Sequence, residues 1–254
     1  MLARRTVYLA SMASSSDLDP LAIRLQFGRR VARLARADFL LREVERRMLE
    51  RLDVVRLSPA VALDVGTGLG QGAAALQQRY PASKVLGADL APPLAAQAGR
   101  LHGASARSGL AGRLRRWFGA DVGAGGTAPM FFAADTAALP LAASSVDLIW
   151  SNLAWHWFVD PTAVLAQWYR VIRPDGLLMF SAFGVDTLKE LRGIGAQTPS
   201  FPDMHDIGDA LGVAGFADPV MDRERLAITW TDADALIEEI RALGGNALGG
   251  RAPG

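Results

Sequence analysis

Cysteine is absent from the 254 residues, which excludes disulfides, thiolate metal ligands and cysteine nucleophiles. Histidine is nearly absent: the three side chains, His102, His156 and His205, are scattered without metal-ligand spacing, so we expect no metal site. No apolar run approaches the roughly 18–20 residues of a membrane-spanning helix. The net charge is only +1, so the overall charge does not favour nucleic acid as a partner.

The first 26 residues are predicted to be a disordered or frayed N-terminus. Residues 1–16 contain two arginines, several serines and no acidic residue, which loosely resembles a mitochondrial transit peptide. We favour an ordinary bacterial N-terminus, with a start at Met12 as one version, and therefore a cytoplasmic location. Residues 27–254 are predicted to form a single domain.

Residues 27–56 show the spacing of an amphipathic helix, or of two helices with a break near Asp38. Apolar residues recur there in steps of three, four or seven, with arginine and glutamate on the other face. Such a helical lead-in is either a packing element or a lid over the domain that follows.

From residue 61 onward, strand and helix patterns alternate with short connections, which predicts an α/β fold with an open parallel sheet. Residues 104–128, rich in glycine, alanine and arginine, are predicted to be a flexible insertion, and residues 193–254 form the C-terminal portion. The predicted strands are 61–65, 84–90, 129–135, 145–152 and 177–183.

Polar side chains stand at the ends of four of these strands: Asp64, Asp89, Asp135 and Asn152. Ligands of open parallel sheets bind beyond the carboxyl ends of the strands, near the point where the strand order reverses. These four residues are therefore predicted to lie at one binding edge.

A glycine-rich loop, Asp64-Val-Gly-Thr-Gly-Leu-Gly70, follows the first strand and precedes a helix, which indicates a site for an adenosine-containing cofactor. NAD is one candidate, because Gly68-Leu-Gly70-Gln-Gly-Ala73 matches the dinucleotide pattern and Asp89 follows at the usual distance. Asp64, however, would repel a pyrophosphate and attract the ammonium and sulfonium of S-adenosylmethionine (SAM), so electrostatics favour SAM.

The segments Ala134-Asp-Thr136, Leu139-Pro-Leu and Ser145-Val-Asp-Leu-Ile-Trp-Ser-Asn152 make the chain resemble the class I SAM-dependent methyltransferases. The resemblance spans roughly residues 61–192 as the SAM-binding core of a Rossmann-like sheet, mostly parallel with an antiparallel edge. It implies that the glycine loop holds the methionine part, Asp89 the ribose and Asp135 the adenine amine. The cofactor-binding set that we predict is Asp64, Gly66, Thr67, Gly68, Gly70, Asp89, Leu90, Asp135, Thr136 and Asn152.

Three longer strings narrow the resemblance to the BioC family, the malonyl-acyl-carrier-protein O-methyltransferases of biotin synthesis. They begin at Ser151-Asn-Leu-Ala-Trp-His-Trp157, Trp168-Tyr-Arg-Val-Ile-Arg-Pro and Ala182-Phe-Gly-Val-Asp-Thr-Leu. The resemblance implies O-methylation of the free carboxylate of a malonyl thioester on acyl-carrier protein. The chain also resembles the related arginine hydroxylases that assemble respiratory complex I. A protein that binds SAM without turnover is a further alternative, and the oligomeric state stays open.

The chain departs from this family pattern at two places. Leu34-Ala35 stands where BioC proteins usually carry a tyrosine-aspartate pair that closes over the active site. Residues 220–230 are predicted to supply an antiparallel edge strand, but we find no segment for the last strand of the sheet before Gly254.

The predicted chemistry needs alignment and a dry pocket more than a base, since an ionised malonyl carboxylate is already a nucleophile. Arg192 and the lead-in arginines are candidates for holding that carboxylate. His156 is read either as a general base or as packing, and Trp155 and Trp157 either wall the acceptor pocket or belong to the core. An acidic carrier protein would be attracted to the basic N-terminal helix and to the arginines of 113–116.

Overall fold

A five-stranded parallel sheet lies at the centre of the protein, in the strand order β3-β2-β1-β4-β5. The computed structural model describes residues 20–29, 31–34, 38–104, 128–196, 198 and 201–242. Because the chain turns outward in both directions from β1, the carboxyl ends of β1, β2 and β4 border the crevice where parallel sheets bind ligands. The strands are β1 (Val61–Val65), β2 (Lys84–Asp89), β3 (Met130–Ala133), β4 (Val146–Ser151) and β5 (Ile172–Phe180).

The described residues contain nine α-helices and three short 3₁₀ turns, and four of the helices connect or follow strands of the sheet. The turns are Leu52–Val54, Thr136–Ala138 and Trp155–Trp157. The helices are α1 (Pro20–Arg29), α2 (Val31–Leu34), α3 (Phe39–Arg51), α4 (Gln71–Arg79), α5 (Pro92–His102), α6 (Pro161–Val171), α7 (Lys189–Gly193), α8 (Met204–Ala214) and α9 (Ala233–Ala242).

Both faces of the sheet are covered, as the apolar strands require. Side chains of β1 alternate between the faces: Leu63 packs with Trp168 of α6, whereas Ala62 packs with Leu76 of α4 and Met48 of α3. These side chains are almost fully buried. The lead-in therefore contributes to the core on the face that carries α4.

The parallel α/β architecture predicted from the alternating pattern is confirmed. Strand β1 and helix α4 have the predicted bounds. Strand β5 starts at Ile172, five residues before the predicted start, because Ile172 already pairs with Val146 and a register shift follows. The Pro174-Asp-Gly176 segment lies within this irregularity, where Asp175 has a φ of +63°.

The helical lead-in begins at Pro20, not at residue 27, so the prediction of a frayed segment through residue 26 is wrong for 20–26. The described part of this segment buries Ile23 and packs Phe27 against Trp157, which stabilises the helix through tertiary contacts. The predicted break near Asp38 is present, since α3 starts immediately after that residue.

The predicted antiparallel edge strand is not found: all five strands of the described residues are parallel, and 220–230 has no regular secondary structure. This segment alternates charges over residues 222–225. It lies beside α3 instead, where Glu224 accepts from Arg47 at 3.1 Å and Asp222 pairs with Arg51.

Two predictions lie outside the described residues. These are the N-terminal segment up to residue 19 and nearly all of the insertion at 104–128, including the arginines of 113–116. Among the helices that are described, none is long and apolar enough to cross a membrane.

Candidate functional site

A cavity of about 360 Å³ lies at the carboxyl ends of the strands and is covered by the lead-in helices. This volume is within the usual range of small-molecule sites, about 300–1,000 Å³. The predicted lid is thus placed over the site. Its contribution to the wall consists of Ile23, Arg24, Phe27, Leu34, Asp38, Leu41 and Glu45.

The glycine loop forms the floor of the cavity in a conformation that favours glycine. Gly66, Gly68 and Gly70 have φ values of +70°, +55° and +83°. A Cβ on Gly66 would lie 2.5 Å from the Cβ of Ala154, so the loop and the segment after β4 touch there. Gly70 does not line the cavity; a Cβ there would lie 2.8 Å from the Phe131 ring. Gly70 thus packs tightly at the start of α4, and its place in the predicted binding set stays a prediction.

Asp64 lines the cavity from the end of β1 and also holds the glycine loop together. Its Oδ2 accepts hydrogen bonds from Thr67 Oγ1 at 2.7 Å and from the Ala73 amide at 2.9 Å. Burial raises the pKa of this carboxyl to about 7, against the opposing effect of those two hydrogen bonds. Burial thus disfavours the charged form of Asp64, and a cationic ligand would favour it.

Asp89 connects the end of β2 to the glycine loop. Its carboxylate accepts from the Gly68 amide at 2.9 Å and from the Ala91 amide at 2.8 Å. Burial raises the pKa of Asp89 to about 6. Leu90, the next residue, also lines the cavity.

Asp135 and Thr136 lie at the cavity wall beyond β3. The Asp135 carboxylate accepts from the Ala137 amide at 2.9 Å and so caps the 3₁₀ turn that starts at Thr136. This cap sets the direction in which both residues face the cavity.

Asn152 joins three elements at the rim of the cavity. Its Nδ2 donates to the Leu41 carbonyl of α3 at 2.8 Å, and its Oδ1 accepts from Ser181 Oγ at 2.8 Å. Ser181 Oγ in turn accepts from the Leu153 amide. Asn152 was predicted as a cofactor ligand, but its amide group is engaged with the protein and fixes the lid to β4.

Two carboxyls of the lead-in reach the cavity, and sequence reasoning missed both. Asp38 accepts from Gln71 Nε2 at 2.8 Å and from Arg42 Nε at 2.7 Å. Glu45 lines the cavity, and none of the described residues donates a hydrogen bond to its carboxyl. Burial, and secondarily the charge of Asp64, raise the pKa of Glu45 to about 7. The only sequence signal was the polar face of an amphipathic helix.

His156 lines the cavity and is surrounded by aromatic rings. Its ring centroid is 4.6 Å from that of Trp157, 4.8 Å from that of Phe183 and 5.8 Å from that of Phe201. Its buried Nδ1 has no hydrogen-bond partner in the described structure. Burial lowers the pKa of the imidazole to about 3, so the ring is neutral at physiological pH.

The two tryptophans beside His156 have different places. Trp155 is buried and stacks on Phe180 at 5.1 Å between ring centroids, so it belongs to the core. Trp157 lines the cavity and meets Phe27 of α1 edge-on at 5.0 Å. The 3₁₀ turn Trp155–Trp157 directs successive side chains to different sides, which explains the difference.

Arg192 does not reach the cavity, contrary to the prediction. Its guanidinium donates to the carbonyls of Val185 and Thr187 at 2.8 Å and 2.6 Å, and to Thr198 Oγ1. Arg192 therefore holds its own loop. The described residues that line the cavity include one arginine, Arg24 of α1, and no lysine. It was overlooked because residues 1–26 were read as frayed.

The charges of the cavity suit SAM. The carboxyls of Asp64 and Glu45 both line it, and they would attract an organic cation that carries a sulfonium and an ammonium. The backbone of Gly66 and Gly68 is bare because neither has a side chain. Within the described part of the chain, no group of three or more metal-ligating side chains could hold a metal ion.

The sequence has relatives over nearly its full length. The family described as "Methyltransferase domain" matches residues 63–180. A malonyl-[acyl-carrier protein] O-methyltransferase of Laribacter hongkongensis is 45% identical, over 96% of this chain and 80% of the relative. One of Gallionella capsiferriformans is 41% identical, over 93% and 79%.

Solved structures share the fold at low identity. A complex of the Haloferax volcanii Trm112 methyltransferase activator with a methyltransferase matches with a TM-score of 0.55 and 20% identity, over 87% of this chain and 93% of the other. A SAM-dependent methyltransferase of Thermotoga maritima, described as a possible histamine N-methyltransferase, matches with a TM-score of 0.54 and 18% identity, over 76% and 81%. At this identity the likeness concerns the fold alone.

Proposed function

The chain belongs to the malonyl-[acyl-carrier protein] O-methyltransferase family, a family of SAM-dependent methyltransferases. From this premise we propose that it methylates the free carboxylate of a malonyl thioester on acyl-carrier protein, as a step of biotin synthesis. The observation that carries the proposal is a single cavity with an acidic and an aromatic part. The acidic part suits the cationic cofactor, and the aromatic part suits a dry acceptor pocket.

We assign the acidic part to the cofactor. Asp64 and the glycine loop hold the methionine part, Asp89 the ribose and Asp135 the adenine, with Leu90 and Thr136 beside them. The bound cofactor supplies an electrophilic methyl group on its sulfonium. The chain contributes by fixing that group in one direction, since the loop is tied to β2 through the hydrogen bond from Gly68 to Asp89.

We assign the aromatic part to the acceptor. His156, Trp157 and Phe183 line the cavity and exclude water from the reacting groups. An ionised carboxylate needs no proton removed, so His156 is not required as a base. A neutral imidazole with an unpartnered Nδ1 can instead donate a hydrogen bond to the carboxylate and position it.

Arg24 is the candidate counter-charge for the malonyl carboxylate. It lies on α1 at the cavity wall and is exposed toward solvent, where a thioester on a carrier protein would enter. Its guanidinium can bind a carboxylate through two parallel hydrogen bonds. We expect Arg24→Ala to raise the KM for the malonyl substrate about 10-fold and to leave the Kd for SAM unchanged.

The control for this change is Arg100→Ala. Arg100 is an exposed arginine of α5 whose guanidinium donates, among the described residues, to Gln97 of its own helix. It should leave both constants unchanged. An unchanged KM in the Arg24 variant would remove Arg24 from the acceptor site without affecting the methyltransferase assignment.

The function itself is tested with purified protein, SAM and either malonyl- or acetyl-acyl-carrier protein, with mass spectrometry of the products. We expect a methyl ester on the malonyl form only. SAM binding by calorimetry without any ester would favour the alternative of a SAM-binding protein without turnover. Rescue of a biotin auxotroph that lacks its own O-methyltransferase separates the proposal from the hydroxylase and assembly-factor alternative.

A further inference from the structure

We propose that Glu45 of the lid helix α3 senses the charge of the cofactor, so that the lid favours SAM over its demethylated product S-adenosylhomocysteine. The inference concerns the cofactor and not the acceptor, and it can be tested without acyl-carrier protein. It rests on the position of Glu45 at the cavity wall and on the finding that none of the described residues donates a hydrogen bond to its carboxyl.

Glu45 differs from every other carboxyl that lines the cavity. The other five each accept at least one hydrogen bond from the protein, from a backbone amide or from a side chain. Glu45 accepts none from the described residues, although it is largely buried. A carboxyl in such a place costs free energy when it is charged, unless a ligand supplies the positive charge. The five are Asp38, Asp64, Asp89, Asp135 and Asp160.

Among the described residues, the charges around Glu45 compensate only in part, since Arg42 lowers the pKa of Glu45 but burial and Asp64 raise it by more. On its own side of the cavity, Arg42 is already paired with Asp38 at 2.6 Å. Across the cavity, Asp64 of β1 raises the pKa of Glu45 further. Glu45 and Asp64 therefore repel each other when both are ionised, and a cation between them would relieve the repulsion.

The two forms of the cofactor differ in this respect. Both carry the methionine ammonium and carboxylate, but only SAM carries the sulfonium, which disappears when the methyl group leaves. Loss of this positive charge removes part of the attraction on Glu45. Because Glu45 lies on α3, the product is held less firmly by the lid than the substrate is.

The lid is built to respond as one unit. Helix α3 is joined to the sheet through Asn152 and the Leu41 carbonyl, and its preceding residue Asp38 is joined to Gln71 of α4. The outer face of α3 carries salt bridges that do not involve the cavity, such as Arg46 with Glu50. These outer carboxylates supply a matched control.

The experiment compares the Kd for SAM and for S-adenosylhomocysteine by calorimetry in the wild type, Glu45→Gln and Glu50→Gln. In Glu45→Gln we expect SAM to bind about 10-fold more weakly and S-adenosylhomocysteine to change less than about 2-fold. Glu50→Gln removes an exposed carboxylate of the same helix and should change neither. Thermal melts without ligand establish that each variant is folded.

The pH dependence provides a second readout. The ratio of the two dissociation constants should rise in favour of SAM as Glu45 ionises between about pH 6 and pH 8, since its pKa is about 7. Asp64 and Asp89 titrate in or near this range as well, so the proposal predicts only that the slope is smaller in Glu45→Gln.

Two results would overturn the proposal. Equal weakening of both ligands in Glu45→Gln would assign Glu45 to packing or to the shared ammonium. If the ratio of the two dissociation constants were the same in Glu45→Gln and the wild type at about pH 6 and at about pH 8, the lid would not distinguish the ligands. Neither result would contradict the proposed acceptor. Failure to methylate malonyl-acyl-carrier protein, with normal discrimination between SAM and S-adenosylhomocysteine, would contradict the acceptor and leave the role of Glu45 standing.

Discussion

Burial shifts the pKa values of ionisable groups in opposite directions in the two parts of the cavity. In the acidic part, burial raises the pKa of Asp64 to about 7 and that of Asp89 to about 6. In the aromatic part, burial lowers the pKa of His156 to about 3. Desolvation favours the neutral form in both cases. The parts differ in what a ligand then changes.

This contrast fits our proposal that the acidic part binds the cofactor and the aromatic part binds the acceptor. A cationic cofactor restores the charge of the carboxyls and gains electrostatic attraction from doing so. Among the described residues, the aromatic rings around His156 do not favour its protonation, so the imidazole stays neutral. Under our proposal one cavity combines a cation site with an apolar acceptor site, and the glycine loop contacts the segment after β4 where Gly66 meets Ala154.

The largest effect is expected from Asp89→Asn, which tests whether the acidic part binds the cofactor. We predict at least about 100-fold weaker SAM binding by calorimetry, equivalent to about 2.7 kcal/mol. The reason is that the amide loses the negative charge and one of two acceptor oxygens that face Gly68 and Ala91. Asp53→Asn, at an exposed carboxylate paired with Arg79, is the control. A change below about 3-fold would contradict the assignment.

The contact between the glycine loop and Ala154 is tested by Gly66→Ala. The positive φ and the approach of 2.5 Å to Ala154 should cost about 2 kcal/mol or more in the free energy of unfolding, measured with urea. Gly99→Ala on α5 meets no atom within 4 Å and should stabilise the protein by about 0.5–1 kcal/mol. If both variants behaved alike, the loop would not be as tightly packed as described.

The aromatic part makes a prediction about acid stability through His156. Its pKa is near 6.5 when unfolded and about 3 when folded, so its contribution is present above pH 6.5 and is lost as the pH falls toward 3. Relative to His156→Phe, the wild type should lose free energy of unfolding below pH 6.5, by at most about 1.4 kcal/mol per pH unit. Parallel stability curves from urea titrations would contradict the buried, neutral state.

The acidic part predicts a smaller effect of the opposite sign through Glu45. Its pKa is raised from 4.5 to about 7, so the stability it contributes is full below pH 4.5 and is lost as the pH rises through 7. Relative to Glu45→Gln, the ligand-free wild type should therefore become less stable between these pH values. Saturating SAM should flatten the difference, since the bound cation favours the charged carboxyl. A difference that persists unchanged with SAM would argue against contact between them.

The regular part of the fold could be predicted because its signals are local. Strand β1 is a short apolar run closed by Asp64, and the glycines after it mark the turn before α4. The acids at the ends of β2 and β3 follow from the same rule about parallel sheets, and they do line the cavity. Each of these inferences needs only the pattern within a few residues.

The failed predictions share the opposite property. Helix α1 is stabilised by contacts with distant residues, such as Phe27 with Trp157. Residues 220–230 alternate in a way that suggests a strand, but their charges pair with α3 instead. Arg192 lies in a predicted helix after the fifth strand, yet its guanidinium donates to the carbonyls of its own loop. For α1 and for 220–230 the deciding partners are distant in sequence, and for Arg192 they are backbone carbonyls, which a side-chain pattern does not show.

The sequence by itself determined the parallel sheet, the glycine loop and the acids at its edge, because strand period and glycine spacing act over short distances. Only the tertiary structure decided which side chains meet in the cavity. It placed Trp155 in the core and Trp157 on the cavity wall, and it placed Glu45 on the wall of the same cavity. The reason is that burial and long-range charge depend on how the lead-in helices pack against the sheet, which local spacing does not encode.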